Sequence, residues 1–97
     1  MSTYIVLVSL TDQGIRSVKE SAQRLDSAKE LAGGMGIEFR DFYLTMGGYD
    51  MVCVVEGPDD HAAARFALSL GSKGNVRTTT LRAFPEVEYR DIVGSLV

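Results

Sequence analysis

Two short runs in this chain are apolar at every position: Ile5-Val6-Leu7-Val8 and Met51-Val52-Cys53-Val54-Val55. Both are rich in β-branched residues and too short for a typical helix, so they read as strands. Side chains alternate between the two faces of a strand. A strand that is apolar at consecutive positions must therefore be shielded on both sides. Any fold open to this chain has to set these runs in the middle of a sheet and cover both of its faces.

The remaining elements follow from punctuation and periodicity. The first strand is expected over Tyr4–Leu10 and is broken by Thr11-Asp12-Gln13-Gly14. Ile15–Glu20 offers a first helical turn, and Ser21 stands where an N-cap of the main helix would be. In that helix Ala22, Leu25, Ala28, Ala32 and Met35 recur at helical spacing, and Glu20 and Arg24 sit four apart in the favourable order. Gly33-Gly34 frays its end and Gly36 supplies a left-handed stop. Ile37–Met46 reads as a second strand, with Phe39, Asp41, Tyr43 and Thr45 on one face and Glu38, Arg40, Phe42, Leu44 and Met46 on the other. Gly47-Gly48 turns it back into Met51–Glu56 as a hairpin. After Gly57-Pro58, Asp59 or Asp60 caps a second helix whose buried stripe is Ala63, Phe66, Ala67 and Leu70, ended by Gly71 and Gly74. Asn75–Phe84 is the fourth strand. Pro85 and Glu86 open a short tail helix, with Val87, Ile92, Val93 and Leu96 available to cover an edge.

Strand, helix, strand, strand, helix, strand is the ferredoxin-like split βαβ pattern, an α+β class. Right-handed crossovers place the first and third strands at the centre of a four-stranded antiparallel sheet, with both main helices on one face. The other face of the central strands is still apolar, whereas polar residues such as Asp41, Thr45, Arg77 and Thr79 fall on the outer strands. A second copy, related by two-fold symmetry, is the simplest cover. The expectation is a homodimer with its sheets face to face, a dimeric α/β barrel. The competing expectation is that the tail helix folds back over that face.

Composition narrows the function classes. At 97 residues the chain is expected to be one domain, residues 1–97. Ten Lys and Arg against thirteen Asp and Glu give a net charge of −3, which argues against a surface built on phosphate contacts, so no nucleic-acid partner is expected. One Cys and one His cannot form an internal disulfide or a Cys/His zinc site within one chain. No cofactor or metal is expected. No apolar run reaches the roughly 20 residues of a membrane span, and no basic lead precedes the first apolar stretch. No membrane partner and a cytoplasmic location are the corresponding expectations.

Few residues suggest chemistry. His61 falls near a helix N-terminus with no nucleophile beside it in sequence, and reads as a solvated surface residue. Cys53, between two valines, reads as a small buried hydrophobe. Gly47-Gly48-Tyr49-Asp50 satisfies hairpin geometry by itself, with Asp50 free to accept backbone N–H groups. It also sets Tyr49 and Asp50 at a cleft mouth, as an aromatic wall and a carboxylate for a ligand. Gln13 and Arg16 follow the end of a central strand, where ligands often enter. Arg77, Arg82 and Lys73 gather near the fourth strand, where Asp41 or Asp50 would make ordinary charge pairs with them.

Three separated segments carry a resemblance: Thr11-Asp12-Gln13-Gly14, then Gly48-Tyr49-Asp50 between two strands, then Gly74-Asn75-Val76-Arg77-Thr78-Thr79-Thr80-Leu81-Arg82-Ala83-Phe84. In this order the chain resembles the GYD domain family, from about Thr3 to the start of the tail helix. The resemblance implies a small ferredoxin-like protein of the dimeric α/β barrel type and brings no established activity. The hairpin and the fourth strand are similar, more distantly, to the effector domain of leucine-responsive transcription regulators, but no helix-turn-helix precedes Tyr4.

Two functions from different classes fit these residues. One is a non-catalytic, homo-oligomeric module that binds a small molecule or serves assembly, with polar contacts from Gln13, Arg16, Tyr49, Asp50 and Arg77. The other is a cofactor-independent enzyme of isomerase or monooxygenase type acting on a small organic substrate. Its acid–base groups would be Asp41, Asp50, Tyr43 or Tyr49 inside the barrel.

Overall fold

A computed structural model describes every residue, Met1–Val97. The elements in chain order are β1 (Ser2–Leu10), α1 (Asp12–Arg16), a single 3-10 turn (Val18–Glu20), α2 (Ser21–Gly34), β2 (Glu38–Leu44), β3 (Met51–Gly57), α3 (Asp60–Gly71), β4 (Val76–Ala83) and α4 (Glu86–Gly94). The sheet order is β2-β3-β1-β4, all antiparallel, so the two wholly apolar runs are its central strands. This is the expected ferredoxin-like α+β architecture. No helix is long and apolar enough to cross a membrane.

Strand parity now has a definite sense. Tyr4, Val6 and Val8 of β1 and Cys53, Val55 and Gly57 of β3 are buried beneath the helices. Phe66, Ala62 and Ala63 of α3, Ala32 of α2 and Ile37 complete that core. Tyr4 reaches through it and donates its hydroxyl to Asp60 Oδ1 at 2.5 Å. Burial pushes the Tyr4 phenol above its ordinary pKa, and the bond to Asp60 adds to the shift. The opposite face carries Ile5 and Leu7, paired with Val54 and Val52 on one side and with Leu81 and Thr79 on the other. No element of the chain's own fold covers it.

Several local expectations are corrected. The chain enters its first helix earlier than the periodicity suggests. Thr11 caps α1, its hydroxyl oxygen accepting the Gly14 amide at 3.0 Å while its own O–H donates to the Gly74 carbonyl at 2.6 Å. Ser21 does not cap α2. It already has helical angles (φ −65°, ψ −30°), because the 3-10 turn before it leads directly into the helix. Ala22 is exposed, and the partly buried Leu31 takes its place in the stripe, since the first turn of α2 overhangs the edge of the core. Arg24 forms no pair with Glu20; its guanidinium donates to the Ser17 hydroxyl and carbonyl and to the Gly14 carbonyl at 3.0–3.2 Å, tying down the preceding loop.

β2 does not keep the simple alternation expected of it. A bulge lies between Phe39 and Asp41, so Arg40 is the extra residue and the parity resets after it. Phe39 and Phe42 therefore share the helix side, and Phe39 meets Phe66 edge-on, centroids 6.0 Å apart. Asp41 and Tyr43 stay on the open face, opposite Val54 and Val52.

α4 does not cover the open face. Val87, Tyr89, Leu96 and their neighbours Ile92 and Val93 remain exposed. Its one ion pair to the body, Arg82 to Glu88 at 4.0 Å, holds only its first turns, which leaves the helix projecting. Two glycines matter for geometry. Gly14 is buried so close to the Asn75 carbonyl that any β-carbon there would overlap its oxygen. Gly36 turns the chain out of α2 at φ +74°, the left-handed stop expected of it.

Candidate functional site

All five residues expected to contact a ligand lie at one end of the sheet, where β1 finishes and β3 and β4 begin. Asp50 is fixed there by its backbone and its side chain together. Its amide donates to the Val8 carbonyl at 2.8 Å, and its Oδ2 accepts the Leu10 amide at 2.7 Å. The carboxylate thus terminates the central strand pair, which is the hairpin chemistry anticipated for it. Tyr49 sits beside it, its carbonyl accepting the Thr45 hydroxyl at 2.7 Å, with the ring part-exposed. Gly47 provides the positive φ of the turn, +110°.

Gln13 closes the other side of this end. Its amide nitrogen donates to the Lys73 carbonyl at 3.1 Å and to Asn75 Oδ1 at 3.0 Å. Arg16 is exposed at the end of α1, and Arg77 is exposed opposite Ser9. No hydrogen bond or ion pair joins any two of the five. They form a polar rim rather than a convergent constellation.

The charge pairs expected between Arg77, Arg82 or Lys73 and Asp41 or Asp50 do not form. β4 and β2 are opposite edges of the sheet, with two strands between them, so Asp41 is out of reach, and Asp50 is turned inward to β1. Arg82 instead lies over the rings of Phe84 and Tyr4, 4.4 and 5.7 Å from their centroids. The ion pair that does form across strands is Arg40 to Glu56, two bonds of 3.1 Å, and it holds the Glu56 carboxyl below its ordinary pKa. His61 is exposed as expected. Cys53 is buried, and desolvation pushes its thiol up to about 11.

One feature of this end has no signal in the sequence. Beneath α2, on the helix side of the sheet, lies a cavity of about 310 Å³. Leu25 and Ala28 form its roof, Phe42 and Cys53 its floor, and Arg24 and Lys73 its charged lining. The helix stripe and the strand patterns both predict apolar surface here. Neither reveals the space left between the layers.

This fold, with its hairpin carrying Gly48-Tyr49-Asp50, matches the GYD domain over residues 4–93, and the chain belongs to the GYD domain family. Among its curated relatives is a protein of Thermus thermophilus, 40% identical over 86 residues, spanning 88% of this chain and 90% of the relative. That protein is named the glutamine synthetase and cystathionine beta-lyase binding protein.

Proposed function

We propose that this chain is a non-catalytic module that pairs with a second copy of itself and docks on other proteins, among them enzymes of the glutamine synthetase or cystathionine β-lyase kind. The observation that carries the docking role is the 40% identity, spread along nearly the whole length, to a relative named for binding those two enzymes.

The open face supports the pairing. Four strands spaced about 4.8 Å apart, with about seven residues rising 3.3 Å each, present on the order of 500 Å² before side-chain relief. Its centre is Ile5, Leu7, Val52 and Val54, flanked by the exposed Tyr43 and Leu81. A stable interface needs about 800 Å² from each partner, so the sheet alone falls short. The uncovered apolar side chains of α4 supply the remainder when the helix lies against the partner. The hairpin tip stays free in such a pair. There Leu44 and Met46 are almost fully exposed, 79% and 98%, and serve as the contact to a partner enzyme. In the same reading, Gln13, Arg16, Tyr49, Asp50 and Arg77 rim the mouth between the paired sheets and offer polar groups to a small ligand.

The test is direct binding of this protein to glutamine synthetase and cystathionine β-lyase from its own source, by surface plasmon resonance. Saturable binding to either enzyme is expected, weakened at least tenfold by Met46→Asp. Absence of binding to both at concentrations of tens of micromolar (the weak end of specific protein association) removes the docking role. Thermal shift with small metabolites, comparing the wild type with Arg16→Ala and Arg77→Ala, tests the rim separately.

A further inference from the structure

We propose that the cavity beneath α2 is a binding site for a medium-chain monocarboxylate, an apolar tail with one anionic head. The volume is that of a small ligand pocket, and most of the lining is apolar, including Val8, Leu25, Phe42 and Met51. The pocket is half open to solvent, so water lies against its apolar walls, and a tail that displaces this water buries apolar surface on both sides.

Charge selects the head group. The chain carries thirteen acidic residues and is net negative, yet no Asp or Glu lines this cavity, whereas Arg24 and Lys73 both do. Neither cation takes part in an ion pair anywhere in the fold. Arg24 spends its donors on carbonyls and a hydroxyl, which leave its positive charge uncompensated. Asn75 also lines the cavity; its oxygen accepts from Gln13, while its amide nitrogen has no partner among the side-chain hydrogen bonds. The first residue of α2, Ser21, lies in the same lining and adds a neutral hydroxyl to it. A cationic or neutral amphiphile would satisfy the apolar walls and leave the positive charge unanswered. A carboxylate answers both.

The site lies on the helix side of the sheet, away from the open face, and rests neither on self-pairing nor on docking. Octanoate serves as the probe and octylammonium as its control of equal tail length. At about five times its dissociation constant octanoate should raise the melting temperature by roughly 4–8 °C, and octylammonium should not. Lys73→Glu should weaken octanoate roughly fivefold, the scale of one exposed ion pair. Ala28→Phe, which fills the cavity, should abolish the shift while leaving the mass in light scattering unchanged. Bound octanoate should show nuclear Overhauser contacts to Leu25 and Phe42 and slow the labelling of Cys53. Equal shifts from the two amphiphiles, or contacts to Ile5 and Val54 instead, overturn the assignment. Those contacts are measured on the wild type, so a poorly folding variant leaves the decision intact.

Discussion

The two faces of the central strands are built from nearly the same residues and have opposite fates. Tyr4, Val6 and Val8 lie under the helices and are almost fully buried, whereas Ile5, Leu7, Val52 and Val54 on the other face are only partly buried. Apolar composition thus states a demand for cover without saying who supplies it. On one face the answer is encoded in the same chain, through the stripes of α2 and α3. On the other, the chain offers only α4, and α4 stands away from the sheet.

Phe66→Ala strikes the covered face at its centre and should cost about 3–5 kcal/mol, read as a lower denaturant midpoint at every protein concentration. Leu7→Asp strikes the open face. It should remove roughly 2–3 kcal/mol, all of it from self-association, by placing an unpaired carboxylate in the seam. Light scattering should then report one chain's mass in place of two, with a melting temperature that no longer rises with concentration. Wild-type protein running as a single chain at micromolar concentration would end the pairing proposal outright. Tyr4→Phe sharpens the covered side by removing only the hydroxyl that Asp60 accepts, for about 1–1.5 kcal/mol.

Two titrations probe the same strands through pH. The folded Cys53 thiol is pushed up to about 11, above the value of an unfolded chain. Its contribution to stability is complete below the unfolded pKa and is lost as pH rises toward 11, so stability should decline between about pH 8.5 and 11 and Cys53→Ala should flatten that limb. Glu56 moves the other way. Its hydrogen bond from Arg40 lowers the folded pKa, so its contribution is present above the ordinary glutamate pKa and fades as pH falls through the folded value. Carboxyl carbon shifts should show Glu56 titrating below the ordinary glutamate range, with the depression vanishing in Arg40→Gln.

Much of this fold is legible in the residues because local and global demands agree. The two apolar runs identify the centre of the sheet, Gly47 and Gly36 mark turns that need positive φ, and Asp59 caps α3 by accepting the Ala62 amide. Legibility fails where tertiary contacts overrule a local rule. The bulge at Arg40 depends on how β2 meets β3, so counting along β2 alone puts Phe39 and Phe42 on opposite faces. Ser21 looks like a cap until the 3-10 turn before it continues the helix. The five candidate ligand residues do share one end of the sheet, because three strand termini meet there, but which side chains are already engaged, as Asp50 and Gln13 are, depends on partners distant in sequence. The cavity is invisible to any sequence pattern, since periodicity describes surfaces and not the space between them.

The seat of Gly14 against the Asn75 carbonyl makes one backbone atom the arbiter of a distant codon. In a saturation library, position 14 should look as intolerant as an active-site glycine for steric reasons alone, and its neighbour Ile15, half exposed, should accept broad replacement. Drift at residue 14 can proceed only if the loop before β4 retreats in the same lineage, so these two stretches are bound to change together or to stand still.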